Sequence, residues 1–344
     1  MLNYLKDLCL LDGISGREKS IRAYIGKKIP DILANDADWF VEDAIGNLII
    51  FKKGKKTPKN KIMLSAHMDE VGFIVTYICD NGFLKFTNVG GVDSKIACGR
   101  AVSVGDNAVT GIIGQKAMHL CQGDEGSTCK ELGSLYIDIG ADSKEEAEKL
   151  VSVGDSVHFK SDYVEFGNNK IKAKAIDDRF GCAVMLKMLE GELEFDTYFA
   201  FLVQEEVGCR GAGPAVYRVR PDYAIVLEAT TASDIAFVDD ENTVCRQGEG
   251  AVVSFMDRST VYDMELFKGA FSLAEKKGIK IQPKTTVAGG NDAGTIHKSC
   301  EGVRTIAVSL PCRYIHSATC VADKRDMGAC YELAKALIEE YAHA

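Results

Sequence analysis

The 12 cysteines include no Cys-x-x-Cys pair, basic residues are not in excess, and no apolar run is long enough to cross a bilayer. Each absence removes a class of function. Without closely spaced cysteine pairs, a zinc knuckle is not indicated. Disulfide frameworks belong to small secreted chains, whereas these cysteines are scattered through 344 residues. Neighbours such as Leu8-Cys9-Leu10 and Gly181-Cys182-Ala183 read most of them as small buried hydrophobes. A formal charge of -9 argues against nucleic acid as the main partner, because phosphate backbones are met by basic surfaces. A membrane span needs about 20 apolar residues. The start, Met1-Leu2-Asn3-Tyr4-Leu5-Lys6-Asp7, meets a charge too early for a signal sequence. A cytoplasmic protein without a membrane partner is expected. There is also no internal repeat and no low-complexity tract.

What is present is an ordinary globular composition, 46% hydrophobic and 26% charged, in a chain long enough for two domains. Leu2, Leu5 and Leu8 recur at helical spacing. Ser15-Gly16-Arg17-Glu18 offers a capping box for a second helix, which Pro30 should end at about Ile29. Strands are expected over 46–51 and 61–66. From about Val71 to Glu165, short β-like runs alternate with glycine-rich turns, interrupted by one helix over roughly 143–151. This predicts a small β-barrel or sandwich inserted as residues 71–165. Residues 1–70 and 166–344 would form the main domain. There, strands over 197–203, 222–227 and 303–310 alternate with helices over 178–189, 263–277 and 324–341. Such alternation predicts an α/β domain with a mixed, largely parallel sheet covered by helices.

The apolar strands keep ending in imidazoles and carboxylates: His67-x-Asp69, Glu205-Glu206, Glu228, and a run reaching His316. Asp177-Asp178 adds a fifth position just before a helix. Ligands of open α/β sheets bind outside the carboxyl ends of the strands, where these residues would converge. Two imidazoles and three carboxylates suit a pair of divalent metals, zinc above all, with cobalt or manganese tolerating the same set. Two such ions about 3.5–4 Å apart can hold a hydroxide and polarise a carbonyl. Each residue also has a duller reading as a solvated loop position. His119, His158, His297 and His343 are taken as structural or surface residues.

Together the motifs name a resemblance. Ala66-His67-Met68-Asp69-Glu70-Val71-Gly72-Phe73 closely resembles the first metal motif of the tetrahedral aminopeptidases, a group with glutamyl and deblocking members and some labelled cellulase. It continues through Ala175-Ile176-Asp177-Asp178-Arg179, Gln204-Glu205-Glu206-Val207-Gly208, Val226-Leu227-Glu228-Ala229-Thr230 and Arg313-Tyr314-Ile315-His316-Ser317. Five motifs in order, over essentially the whole chain, are specific where each alone is weak. The resemblance implies a zinc-peptidase-like fold and removal of N-terminal residues from peptides. His67 and Glu228 would hold one metal, Glu206 and His316 the other, with Asp177 bridging. Glu205 would be the general base and Asp69 would orient His67. It also implies a β-rich insert used for dimer contacts, and dimers that assemble into tetrahedral dodecamers.

Three positions depart from the family pattern. Glu228 stands where many members have Asp, Val92 follows Gly90-Gly91 where many have Trp, and Asn291 follows Gly289-Gly290 where many have Thr. Gly289 and Gly290 are expected to let the backbone approach substrate. A deacylase or other amidohydrolase of the same fold is the alternative activity. A glycosidase would need two carboxyl groups flanking a sugar bond and would leave the histidines without a role.

Overall fold

A computed structural model describes residues 1–33, 35–121 and 131–344. The main sheet is apolar on both faces. Leu48, Ile50, Ile62, Leu64, Ile225, Leu227, Ile306 and Val308 join one buried cluster, while their neighbours Ile49, Met63, Ala224, Val226 and Ala307 join another. Successive side chains of a strand point to opposite faces, so a sheet of this kind must be covered twice.

The chain lays down β1 (Trp39–Glu42), β2 (Leu48–Lys52) and β3 (Ile62–His67) and then leaves the sheet. Strands β4 (Gly72–Ile78), β5 (Leu84–Val89), β6 (Ala101–Val104), β7 (Val109–Gly114), β8 (Tyr136–Asp138) and β9 (Ser156–Phe159) close into a barrel in the order β4-β5-β8-β7-β6-β9. Closure leaves no unpaired edge. The barrel has its own core, in which the Phe73 ring meets Phe86 and Phe159 edge-on at 5.0 and 5.3 Å. The chain rejoins the sheet through β10 (Val164–Phe166) and β11 (Lys170–Ala173), and completes it with β12 (Thr197–Leu202), β13 (Tyr223–Thr231), β14 (Ala251–Val253), β15 (Ile281–Pro283), β16 (Arg304–Arg313) and β17 (Cys320–Asp323).

The sheet order is β1-β2-β12-β3-β13-β16-β17-β11-β10, with β14 pairing β16 and β15. The four central strands β12, β3, β13 and β16 are parallel, and the flanks are antiparallel. Helices α1 (Leu2–Cys9) and α2 (Lys19–Ile32) pack on one face. Two single turns, α3 (Ser94–Ala97) and α4 (Lys144–Ala147), belong to the barrel. The long α5 (Ile176–Glu190) joins the first face, and α6 (Ala212–Val219) covers the opposite one. Helix α7 (Met264–Lys277) and the C-terminal α9 (Lys324–His343) complete the first face, and α8 (Ala293–Ile296) the second. Among the described residues, no helix is long and apolar enough to cross a membrane.

Several local expectations are corrected. Ser15 does not cap α2. Its hydroxyl donates to Asp69 at 2.6 Å, and the Glu18 carboxylate accepts from Gly16 N–H and Gln204 N–H instead. Tertiary partners thus outcompete the local cap. Pro30 lies inside α2, in its last turn, and the helix runs on to Ile32. The helix expected over 143–151 is a single turn at Lys144–Ala147, capped by Ser143. Helices α6 and α8 and the short strands β14 and β15 were not anticipated. Six cysteines, including Cys9, Cys182 and Cys330, are buried, and all eleven described cysteines are unbridged. Residue Cys129 lies outside the described residues.

Candidate active site

The carboxyl ends of the central strands hold the site. His67 is the last residue of β3, and Glu205 and Glu206 follow the turn after β12. Glu228 lies within β13 and not at its end, because pairing with β16 continues past Glu228↔Ser309 to Thr231↔Cys312. His316 sits in the turn between β16 and β17. The backbone leaves helical geometry at Asp177 and Asp178 in the first turn of α5, and the peptide between them is cis. Their carboxylates serve different partners. Asp178 accepts from His67 N–H and Gly181 N–H at 3.2 and 3.0 Å.

Asp177 stands between the two imidazoles. Its Oδ1 is 3.2 Å from His67 Nε2 and its Oδ2 is 3.3 Å from His316 Nε2. Glu228 Oε1 lies 3.4 Å from His67 Nε2, and Glu206 Oε1 lies 3.4 Å from His316 Nε2. The five residues therefore form two sets sharing one carboxylate. Each histidine is oriented from behind. His67 Nδ1 faces the Asp69 carbonyl at 3.1 Å and its carboxylate at 3.4 Å, and His316 Nδ1 faces the Gly91 carbonyl at 2.9 Å. Second partners of this kind fix an imidazole's tautomer and leave its other nitrogen free to ligate.

Asp69 does more than orient His67. It also accepts from the backbone N–H groups of Glu205 and Glu206, at 3.0 and 3.1 Å, and from Ser15 Oγ. The turn carrying the two glutamates needs this support, since Gln204 has φ +57. Tyr314 and His316 are also left-handed, at φ +57 and +60. Non-glycine residues held there cost on the order of 1–3 kcal/mol each and cluster at functional sites. Behind the site, the fully buried Arg179 donates to the carbonyls of Met68, Leu8 and Gly13, tying α1 to the segment after His67. Lys174 binds the buried Glu70 at 2.6 Å.

Crowding of acids dominates the electrostatics. Burial, reinforced by the Asp177 charge, pushes the carboxyls of Glu206 and Glu228 well above the usual range. Burial raises Glu205 to about 7, with Asp177 and Asp69 adding to it against the pull of His67. Burial opposes protonation of His316, yet Asp177 and Glu206 prevail and raise it to about 10. At His67 too, Glu228 and Asp177 overcome burial. Glu206 Oε1 and Glu228 Oε2 are buried with no hydrogen-bond partner, an uncommon state for polar atoms. Three carboxylates, two imidazoles and two orphaned oxygens fit divalent cations, which would displace the retained protons.

The cavity over this cluster is also lined by Gly289 and Gly290. Gly289 has φ +65. At Gly290 the constraint is packing, because a Cβ there would meet Ser259 Oγ at 2.7 Å. Asn291 lines the cavity and accepts from Ala293 N–H at 2.9 Å, and Val92 packs against the barrel core. The remaining histidines lie away from the cluster. His158 is buried in β9 against Ser156, His297 faces the Ala293 carbonyl, His343 stacks edge-on with Phe195, and His119 is exposed. Sequence reasoning missed Ser15, Cys209 (whose thiol donates to Glu205 Oε1 at 3.4 Å) and Lys284. None of the three belongs to a motif with its own chemistry.

Fold and site together define an α/β peptidase with an inserted barrel, and the comparisons agree. The aminopeptidase APDkam598 from Desulfurococcus kamchatkensis superposes with a TM-score of 0.91 at 36% identity, over 98% of this chain and 94% of its own. The TET1 peptidase of Pyrococcus horikoshii, which can assemble into a tetrahedron or a large octahedral shell, gives 0.85 at 34% identity over 98% of both chains. A lysyl aminopeptidase of Pyrococcus furiosus is 32% identical over 98% of this chain and 96% of its own. The family model for M42 glutamyl aminopeptidase matches residues 46–333. The chain belongs to the M42 aminopeptidase family, and it is an enzyme.

Proposed function

We propose that the protein removes N-terminal residues from peptides at a site built for two divalent ions, with zinc preferred and cobalt or manganese tolerated. His67 and Glu228 would hold one ion, Glu206 and His316 the other, and Asp177 both. One observation carries the reading: Asp177 offers one oxygen toward each histidine, at 3.2 and 3.3 Å. When bound, such a pair supplies Lewis acidity and lowers the pKa of water.

The chain's own residues do the rest. Glu205, at 3.9 Å from His67 Nε2 through its Oε2, is the proton carrier. Its raised pKa makes its carboxylate basic enough to take a proton from the attacking water and return it to the leaving amine. Asp69 fixes Glu205 and His67 by the hydrogen bonds described above. The commitment of these carboxylates to imidazoles favours the peptidase reading over the glycosidase one. By analogy with the TET1 shells, the protein would be a homo-oligomer, a dimer through the barrel or a dodecamer, and the cytoplasmic location expected from its sequence is part of the proposal.

Hydrolysis of aminoacyl-p-nitroanilides and their N-acetylated forms tests the activity, using enzyme stripped of metal and then given zinc, cobalt or manganese. Metal-dependent release from the free-amine substrates alone is expected. Release from the acetylated forms would move the assignment to a deacylase, and no release with any ion would overturn it.

A further inference from the structure

The turn after β12 closes on itself. The N–H groups of Gly208 and Cys209 both donate to the Glu205 carbonyl at 2.9 Å, Arg210 N–H donates to Gln204 at 3.1 Å, and Gly211 N–H donates to Val203 at 3.0 Å. This lattice returns Cys209 to the side of Glu205, and both residues line the cavity over the acidic cluster. Cys209 is held left-handed, at φ +54. A residue with a Cβ seldom sits there, and such positions cluster where function uses them. Glycine would suit that backbone better, but the thiol supplies a contact that glycine could not.

Asp69 fixes the backbone of Glu205 and not its carboxylate. A glutamate still has three side-chain torsions to settle. Among the described residues one donor meets that carboxylate, the Cys209 thiol, 3.4 Å from Oε1. The other oxygen, Oε2, faces His67 Nε2 at 3.9 Å. The thiol therefore ties one oxygen to the cavity wall and leaves the second turned toward the reacting centre. Its proton stays on sulfur, because burial and the charges of Asp292 and Glu205 push its pKa up. Asp292 is the other acid beside the thiol. It is 1% exposed, and its Oδ1 has no hydrogen-bond partner. A thiol has one proton to give, and with Glu205 as its acceptor none is left for Asp292.

We infer that Cys209 is a positioning residue for Glu205, its S–H holding Oε1 so that Oε2 is presented to the attacking water. The inference rests on the aminopeptidase reading with Glu205 as general base, and it assigns what keeps that base aimed. A thiol is a weak donor, so the effect is modest in size. The rival account is a cysteine that merely fills space beside Glu205. The two differ in what a hydroxyl at this position would do.

The test compares the metal-loaded full chain with Cys209→Ala, Cys209→Gly and Cys209→Ser, on the aminoacyl-p-nitroanilide that the wild type cleaves fastest. Ala and Gly remove the donor, and Gly also suits the left-handed backbone, so a poorly folded Ala variant does not decide the result. Serine restores a donor. For Ala and Gly, kcat is expected to fall about three- to tenfold, the share a weak donor to a charged group can hold, with KM within about twofold of the wild type. Ser should recover most of that loss. The acid limb of the kcat profile should move to higher pH in Ala and Gly and return in Ser, because a carboxylate that loses a donor holds its proton more tightly. Zinc should raise the melting temperature equally in all four proteins. Equal kcat in Ala, Gly and Ser, whether unchanged or lowered, overturns the role of the S–H, as does a loss that appears in KM or in the zinc response. Any of these results with an active wild type sinks this inference alone. No release by the wild type from any free-amine substrate overturns the aminopeptidase reading, and this inference with it.

Discussion

Glu205 and Glu206 are adjacent in sequence and separate in task. Glu206 faces His316 and Glu205 faces the His67 side. Glu205→Gln should therefore keep the ions and lose the reaction. A fall in kcat of about 10²–10⁴-fold is expected, the range for loss of a general base, with zinc still raising the melting temperature as in the wild type. Ions that stabilise the native state do so by mass action, so a lost zinc response would make Glu205 a ligand and not a base. Ser15 offers a contrasting case. Had it been a helix cap, Ser15→Ala would weaken only α2. Because its hydroxyl binds Asp69, the substitution should also lower kcat, and an unchanged kcat with reduced stability would argue against the link. Of the five candidate positions, His67, Glu206 and His316 are legible because apolar strands run into them, whereas Glu228 lies within β13 and Asp177 opens α5, and these two stand out only through their motifs. Ser15 is not legible, since its role depends on a partner 54 residues away.

At the scale of elements, the central strands declared themselves by apolar runs too long for turns. The short flanking strands did not. Val164–Phe166 is exposed along its length, and only its pairing with β11 makes it a strand. Pro30 misled because α2 bears the loss of one N–H bond there and still closes its last turn, Leu33 N–H donating to the Ile29 carbonyl at 2.9 Å. The N-cap of α9 gives a prediction at this scale. Asp323 accepts from Arg325 N–H and binds the side chains of Arg325 and Lys170. Burial resists its ionisation, but these partners hold its carboxyl down at about 2. A depressed carboxyl contributes stability that is complete above its unfolded value of 3.8 and is lost as pH falls through about 2. Asp323→Asn retains capping ability and removes the charge. Urea unfolding should show the variant weaker than wild type at pH 5, with the gap closing on acidification toward pH 2. A gap independent of pH would mean the charge is not what the helix start uses. Arg179→Met tests the tie between α1 and the His67 segment. Leaving several buried carbonyls unpaired costs roughly 1–3 kcal/mol for each one lost, so a fall of several kcal/mol in unfolding free energy is expected, and a change below about 1 kcal/mol would show that other groups hold that segment.

For the whole molecule, size in solution is the first quantity to measure. Light scattering should give a multiple of the 37.4 kDa chain mass, twelvefold for a tetrahedral shell, and a monomer mass would remove the shell from the proposal. The barrel's place in the chain bears on that assembly. It departs at His67, the last residue of β3, and returns through β11 only a few residues before Asp177. The carbonyl of Gly91, just beyond β5, also braces His316. A tilt of the barrel would therefore move the carbonyl that braces His316. The barrel works as a gauge block set between the outside of the subunit and its reacting centre, and whatever leans on one end is registered at the other.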